Sequence, residues 1–104
     1  MAAEVVFSPE AADGLLSLYD DIADSAGEAR ALAFVETIRL HCMDFETFPQ
    51  RGTLRDDLRP GLRVTGFRRR ITIAFHVAPA RIVIDRVLYA GRDIDRLFER
   101  EGNT

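Results

Sequence analysis

Apolar side chains recur along this chain with two different periods, and the change falls at Leu62. Glu4-Val5-Val6-Phe7 reads as a short strand. Ser8-Pro9-Glu10 is then a helix start: Ser8 can cap free amides, Pro9 suits the first helical position, and Glu10 complements the positive end of the dipole. Ala11, Leu15, Leu18, Tyr19, Ile22 and Ala26 follow at three- and four-residue spacing, which gives one apolar face. Asp13, Asp20, Asp21 and Asp24 take the other side, and Gly27 is a natural left-handed stop. Gly14 is out of place, since a glycine inside a helix costs about 1 kcal/mol relative to alanine. A second helix over 28–46 carries Ala31, Phe34, Val35, Ile38, Cys42 and Phe45 on one side. With so tight a connection the two helices form an antiparallel hairpin.

Phe48-Pro49-Gln50-Arg51-Gly52 breaks the helical pattern, Arg59-Pro60-Gly61 is a second turn, and residues 53–58 read as a polar loop. Leu62-Arg63-Val64 opens a strand, and a turn is expected over 66–69. Ile71, Ile73, Phe75 and Val77 then alternate with Arg70, Thr72, Ala74 and His76. Ala78-Pro79-Ala80 is a hairpin turn, because Pro79 cannot donate to a ladder. Residues 81–89 form a further strand, with Ile82, Ile84, Arg86 and Leu88 on one face and Val83, Asp85, Val87 and Tyr89 on the other. Residues 93–98 read as a short terminal helix, followed by a frayed tail. The expected fold is α+β: β-α-α-β-β-β, an antiparallel sheet packed against an N-terminal helical hairpin, in a single domain spanning 1–104.

Composition narrows this picture little. At 104 residues and 47% hydrophobic, the chain has enough apolar side chains for one core, and no run long enough to span a bilayer. Its start lacks the basic and apolar regions of a signal peptide, and a lone Cys42 forms no disulfide framework. A cytoplasmic location is therefore expected. Charge says more. All 14 basic residues are arginine, and they are unevenly placed. Residues 1–50 carry net −8 and residues 51–104 carry net +5, for a whole-chain charge of −3. Either the basic half meets an acidic partner, or the halves pair with each other on folding.

Most candidate chemistry falls away on spacing. His41 and His76 have no second histidine or cysteine at metal-ligand distance, and His41 and Cys42 are consecutive on a helix, so they do not face the same way. Asp20, Asp21 and Asp24 lack the glycine and bidentate glutamate of a calcium loop. No glycine-rich phosphate loop or nucleophile elbow is present. No metal site and no cofactor are expected. The arginines remain. Arg68-Arg69-Arg70 is either a solvated turn rim or an anchor for carboxylates, and Arg55, Arg59 and Arg63 are open to the same two readings. Arg86, mid-strand among aliphatics, must be paired, with its partner expected from a helix acid because Asp85 faces away. Leu16, Leu32 and Leu40 lie off the main apolar stripes, so they either dock a partner helix or complete the contact between hairpin and sheet.

Several stretches together resemble the ParE branch of the RelE/ParE toxin superfamily. They are Phe7-Ser8-Pro9-Glu10-Ala11 leading to Asp13 and Leu15, Phe48-Pro49 with Arg51-Gly52, and Asp57-Leu58-Arg59-Pro60-Gly61-Leu62-Arg63. Arg86-Val87-Leu88-Tyr89 and then Gly91-Arg92-Asp93-Ile94 complete the set, which covers about residues 4–98. Tyr89 departs from the histidine frequent at that place, and Asp85 from an aliphatic residue. The resemblance implies the toxin of a type II toxin–antitoxin pair, which inhibits DNA gyrase without being an enzyme and forms a hetero-oligomer with a ParD-type antitoxin. It implies no catalytic residue, no membrane partner and no sequence-specific nucleic acid. Antitoxin binding is expected at Leu16, Tyr19, Leu32, Arg55, Arg59, Arg63 and Arg70, and target inhibition at Tyr89, Arg92, Asp93, Leu97 and Phe98. The alternative is a RelE-like messenger RNA endonuclease, which shares the fold. Arg86 and Tyr89, its best candidates, sit three apart on one strand and so point to opposite faces. A chain at net −3 without lysine is also a poor RNA binder.

Overall fold

A computed structural model describes residues 4–89, 94 and 96–98. Strand β1 (Glu4–Phe7) leads into helix α1 (Pro9–Ala26), which is followed by α2 (Glu28–Met43) and a 3₁₀ turn (Asp44–Glu46). Strands β2 (Thr53–Leu54), β3 (Leu62–Phe67), β4 (Ile71–Val77) and β5 (Arg81–Tyr89) follow. Ser8 caps α1 as its sequence suggests, its side chain accepting from the Ala11 amide at 3.0 Å. Gly27, at φ 94°, turns the chain directly from one helix into the next. Residues 94 and 96–98 are helical.

All five strands belong to one sheet in the order β1-β5-β4-β3-β2. The sheet is mixed: β3, β4 and β5 form an antiparallel meander, but β1 runs parallel to β5, with Glu4 opposite Arg81 and Phe7 opposite Ile84. The helical hairpin is the crossover that allows this, since a parallel pair needs a long connection. The loop expected over 53–58 contributes the two-residue edge strand β2, which pairs with Arg63 and Val64. β3 also extends two residues into the turn expected from Gly66, and that turn lies over 67–70.

The hairpin covers one face of the sheet. Leu18, Ile38, Cys42 and Phe45 meet Ile71, Ile73, Phe75, Ile82, Ile84 and Val87 in the main core. Gly14 is explained by this contact. A β-carbon there would stand 2.4 Å from the Val87 carbonyl oxygen, so only glycine lets α1 approach β5 so closely. On the opposite face a smaller cluster joins Leu62, Ala74 and Phe98, with Leu58, Val64 and Ile94 against it.

One irregularity decides what that second face carries. Ala74 pairs with Arg86, but the next residue, Phe75, pairs with Ile84, so Asp85 is an extra residue in β5. Such a bulge breaks the two-residue alternation. Ile82 and Ile84 face the helices before it, and Val87 faces them after it. The strict alternation expected for β5 is thus corrected: Asp85 and Arg86 both look toward the face away from the hairpin.

Candidate functional site

Strand β5 brings a cluster of charged groups onto the open face. Asp85 is the one buried charged residue among those described, at 5% exposure. Its carboxylate lies 2.7 Å from Nδ1 of His76 and 3.6 Å from a guanidinium nitrogen of Arg59. Pairing is what permits burial of the charge, because an isolated carboxylate there would be costly to desolvate. Arg86 donates to the Asp85 carbonyl at 2.8 Å and stands 3.7 Å from the Glu10 carboxylate, in the first turn of α1. The expectation of a helix acid as the partner of Arg86 is met by Glu10. Ser8 adds a further tie, its hydroxyl donating to the same Asp85 carbonyl at 2.9 Å.

Phe98 lies over this cluster and is 2% exposed. The guanidinium of Arg59 is 4.8 Å from its ring centre and that of Arg86 is 5.8 Å away, both within the range of cation–π attraction. Phe98 therefore rests on the sheet as one aromatic ring flanked by two cations.

A second concave feature lies on the helix-covered side. A cleft of about 590 Å³ is floored by Ile22, Ala26, Ala33 and Phe34 and rimmed by Arg30, Arg68, Arg70 and Tyr89. Arg68 and Arg69 form the tip of the β3–β4 turn, with φ of 51° and 63°. This is the left-handed backbone that Asn-Gly pairs usually supply, and a side chain with a β-carbon adopts it at a cost of roughly 1–2 kcal/mol per residue. Arg30, Arg68 and Arg70 form no ion pair among the described residues. Apolar floor and unpaired arginine rim together suit an amphipathic segment carrying carboxylates.

Comparison with known proteins bears on what these surfaces serve. Residues 5–94 match the family described as ParE toxin of type II toxin-antitoxin system, parDE. The chain belongs to the ParE toxin family. No curated protein matches the sequence. Among solved structures, the chromosomal ParDE TA system from P. aeruginosa is similar at 23% identity and a TM-score of 0.74. The likeness covers 86% of this chain and 97% of that one, and at such identity it speaks for the fold.

In this ParE-family chain the arginines read from the sequence fall into different environments. Arg55 makes a two-pronged pair with Asp57, which holds that carboxyl below the usual range. Arg63 caps the carbonyls of Arg51 and Gln50 at 2.9 and 2.6 Å, fixing the loop before β2. Arg59 belongs to the Asp85 cluster, and Arg70 rims the cleft beside Arg68. Leu16 and Leu32 are 61% and 63% exposed, and Leu40 is also exposed, so these leucines do not complete the hairpin–sheet contact. Tyr19 is half-buried. Tyr89 shares the cleft with Arg70. Leu97 is half-buried and Phe98 faces inward, while Arg92 and Asp93 lie outside the described residues.

Sequence reasoning missed the pairing of His76 with Asp85 and the gathering of Arg86 beside it, because regular alternation groups Arg86 with Ile82 and Ile84 and so puts it on the face opposite Asp85. It also missed Arg30 and Phe34 as cleft residues: Phe34 already belongs to the apolar stripe of the second helix, and no pattern in the sequence marks Arg30. His41 and Cys42 stay apart chemically: burial pushes the Cys42 thiol up to about 12, so it is no nucleophile at neutral pH. No group of three or more His, Cys, Asp or Glu that could hold a metal occurs among the described residues. No described helix is long and apolar enough to cross a membrane.

Proposed function

We propose that this ParE-family toxin acts on DNA gyrase as a binding inhibitor, and that a ParD-type antitoxin neutralises it. The observation that supports a non-catalytic action is the state of the open face. A nuclease of this fold would hold RNA on that face with unpaired arginines. Here Arg59 and Arg86 are committed to Asp85 and Glu10, and Phe98 covers the cluster. The cleft supports the antitoxin half of the proposal. Its unpaired Arg30, Arg68 and Arg70 around an apolar floor fit a helix with acidic and apolar residues on one face. Leu16 and Leu32 are also exposed on the hairpin.

One feature favours the competing reading of messenger RNA cleavage. His76, oriented by Asp85 at 2.7 Å and beside two arginines, has the form of a general base next to phosphate-binding groups. A single experiment separates the two. The toxin is expressed alone, and chromosomal DNA breaks are scored beside the 5′ ends of cellular messages. DNA breaks with intact messages are expected. Clipped messages with intact DNA, abolished by His76→Ala, would establish the nuclease instead.

A further inference from the structure

We infer that Arg59 and Arg86 are positioning residues, which hold the terminal segment by its Phe98 in the geometry that engages the target, with Asp85 as the keystone. The inference rests on the reading that this segment carries the inhibitory action.

Among the described residues, the apolar contact of Phe98 and Ile94 is with the small cluster of Leu62, Ala74, Leu58 and Val64, which has fewer members than the main core. A short helix does not stand alone in water and depends on tertiary contacts. The directional contacts converge on the Phe98 ring, with Arg59 at 4.8 Å and Arg86 at 5.8 Å. Each guanidinium is in turn held in place. Asp85 fixes Arg59 and is itself held by His76, while Glu10 and the Asp85 carbonyl fix Arg86. The bulge is what makes this possible. With regular pairing Asp85 and Arg86 would point to opposite faces, and the two cations would lose their shared support.

Glu10 and Ser8 give the arrangement a second property. Both belong to the start of α1, the helix on the other side of the sheet. The N-terminal turn of the hairpin is thereby joined to the support of the terminal segment through two named contacts.

The test uses the full chain with Arg59→Gln, Arg86→Gln and the double substitution, beside Arg59→Lys. Amide hydrogen exchange is followed at residues 96–98 and in β4, together with gyrase supercoiling and growth arrest. Loss of each cation opens the segment roughly tenfold more often, and loss of both leaves it mostly undocked. Inhibition then falls with the docked fraction, by at least about tenfold in the double variant. Exchange in β4 stays at its starting value, which a general loss of stability would not allow. Arg59→Lys, keeping the charge without the planar fork, recovers part of the protection. Unchanged exchange at 96–98 in the double variant would overturn the positioning role. Faster exchange with full growth arrest would show that the segment does not act on the target, and would overturn the role equally. Should the unaltered toxin leave gyrase untouched, the gyrase reading fails by itself, and exchange with growth arrest still decides the role of the arginines.

Discussion

The two faces of this sheet are built on different physics. Under the helical hairpin, Ile73, Phe75, Ile82 and Ile84 are fully buried against Ile38, Cys42 and Phe45. That contact is non-directional and extends over the whole face, so it follows from the period of apolar residues and not from any single aimed contact. Among the described residues the open face buries the apolar Leu62, Ala74 and Phe98, and it uses ion pairs, hydrogen bonds and ring contacts aimed at single groups. Such contacts depend on geometry, and here the geometry depends on one extra residue in β5. The covered face therefore makes the fold, while the open face fixes where one short segment sits.

The comparison is tested most strongly by removing one phenylalanine from each face. Phe75→Ala leaves a cavity in the main core and is expected to destabilise the toxin by about 3–5 kcal/mol, seen as a large fall in the urea midpoint. Antitoxin binding and toxicity then decline together. Phe98→Ala should move the midpoint far less and reduce toxicity selectively. Equal stability losses would contradict the division between the two faces. A smaller effect is expected at Gly14. In a solvent-exposed helix Gly→Ala stabilises by about 1 kcal/mol, but here the added carbon meets the Val87 carbonyl at 2.4 Å. Gly14→Ala should therefore reverse the sign and cost about 1–3 kcal/mol in denaturant titrations.

The covered face was legible from the sequence because burial imposes periodicity. Leu18, Ile38 and Cys42 fall at helical spacing, Ile71, Ile73 and Phe75 alternate, and all are buried as their pattern implies. The open face was not legible, for identifiable reasons. A bulge carries no composition signal, and nothing between Ile84 and Val87 announces that the alternation slips there. The parallel pairing of β1 with β5 is a long-range choice that four residues cannot encode. Arginine also has the same appearance in sequence whether it pairs locally, as Arg55 does, caps carbonyls, as Arg63 does, or lines a cleft, as Arg70 does.

The β3–β4 turn offers a sharper contrast, because there stability and binding should part. Arg68 and Arg69 both hold left-handed φ, which Asn-Gly adopts with less strain. Replacing them, as Arg68→Asn with Arg69→Gly, should raise stability by about 1 kcal/mol in urea titration. The same change removes Arg68 from the cleft rim, so antitoxin affinity should fall. A variant that is more stable and binds equally well would show that the arginine tip has no part in recognition.

The smallest expected effect tests whether the covered face is purely apolar. His41 lies between the rings of Phe45 and Phe67, at 5.5 and 4.5 Å, and its Nε2 is buried without a hydrogen-bond partner. Burial lowers its pKa below the ordinary 6.5, Arg51 lowers it further, and Asp44 opposes them. A folded value below the unfolded one means that the unfolded chain takes up the proton first as the pH falls. The contribution is then fully present above about pH 6.5 and is lost as the pH drops from there through the folded value. His41→Phe keeps an aromatic ring at this place and removes the titration. Comparing urea midpoints at about pH 7.5 and about pH 5.5, the unaltered toxin should lose more stability on acidification than the variant, because the carboxylates common to both titrate mainly lower. Parallel losses in the two proteins would mean that water reaches the imidazole in the folded state, and that the hairpin is not sealed against β3 at this end.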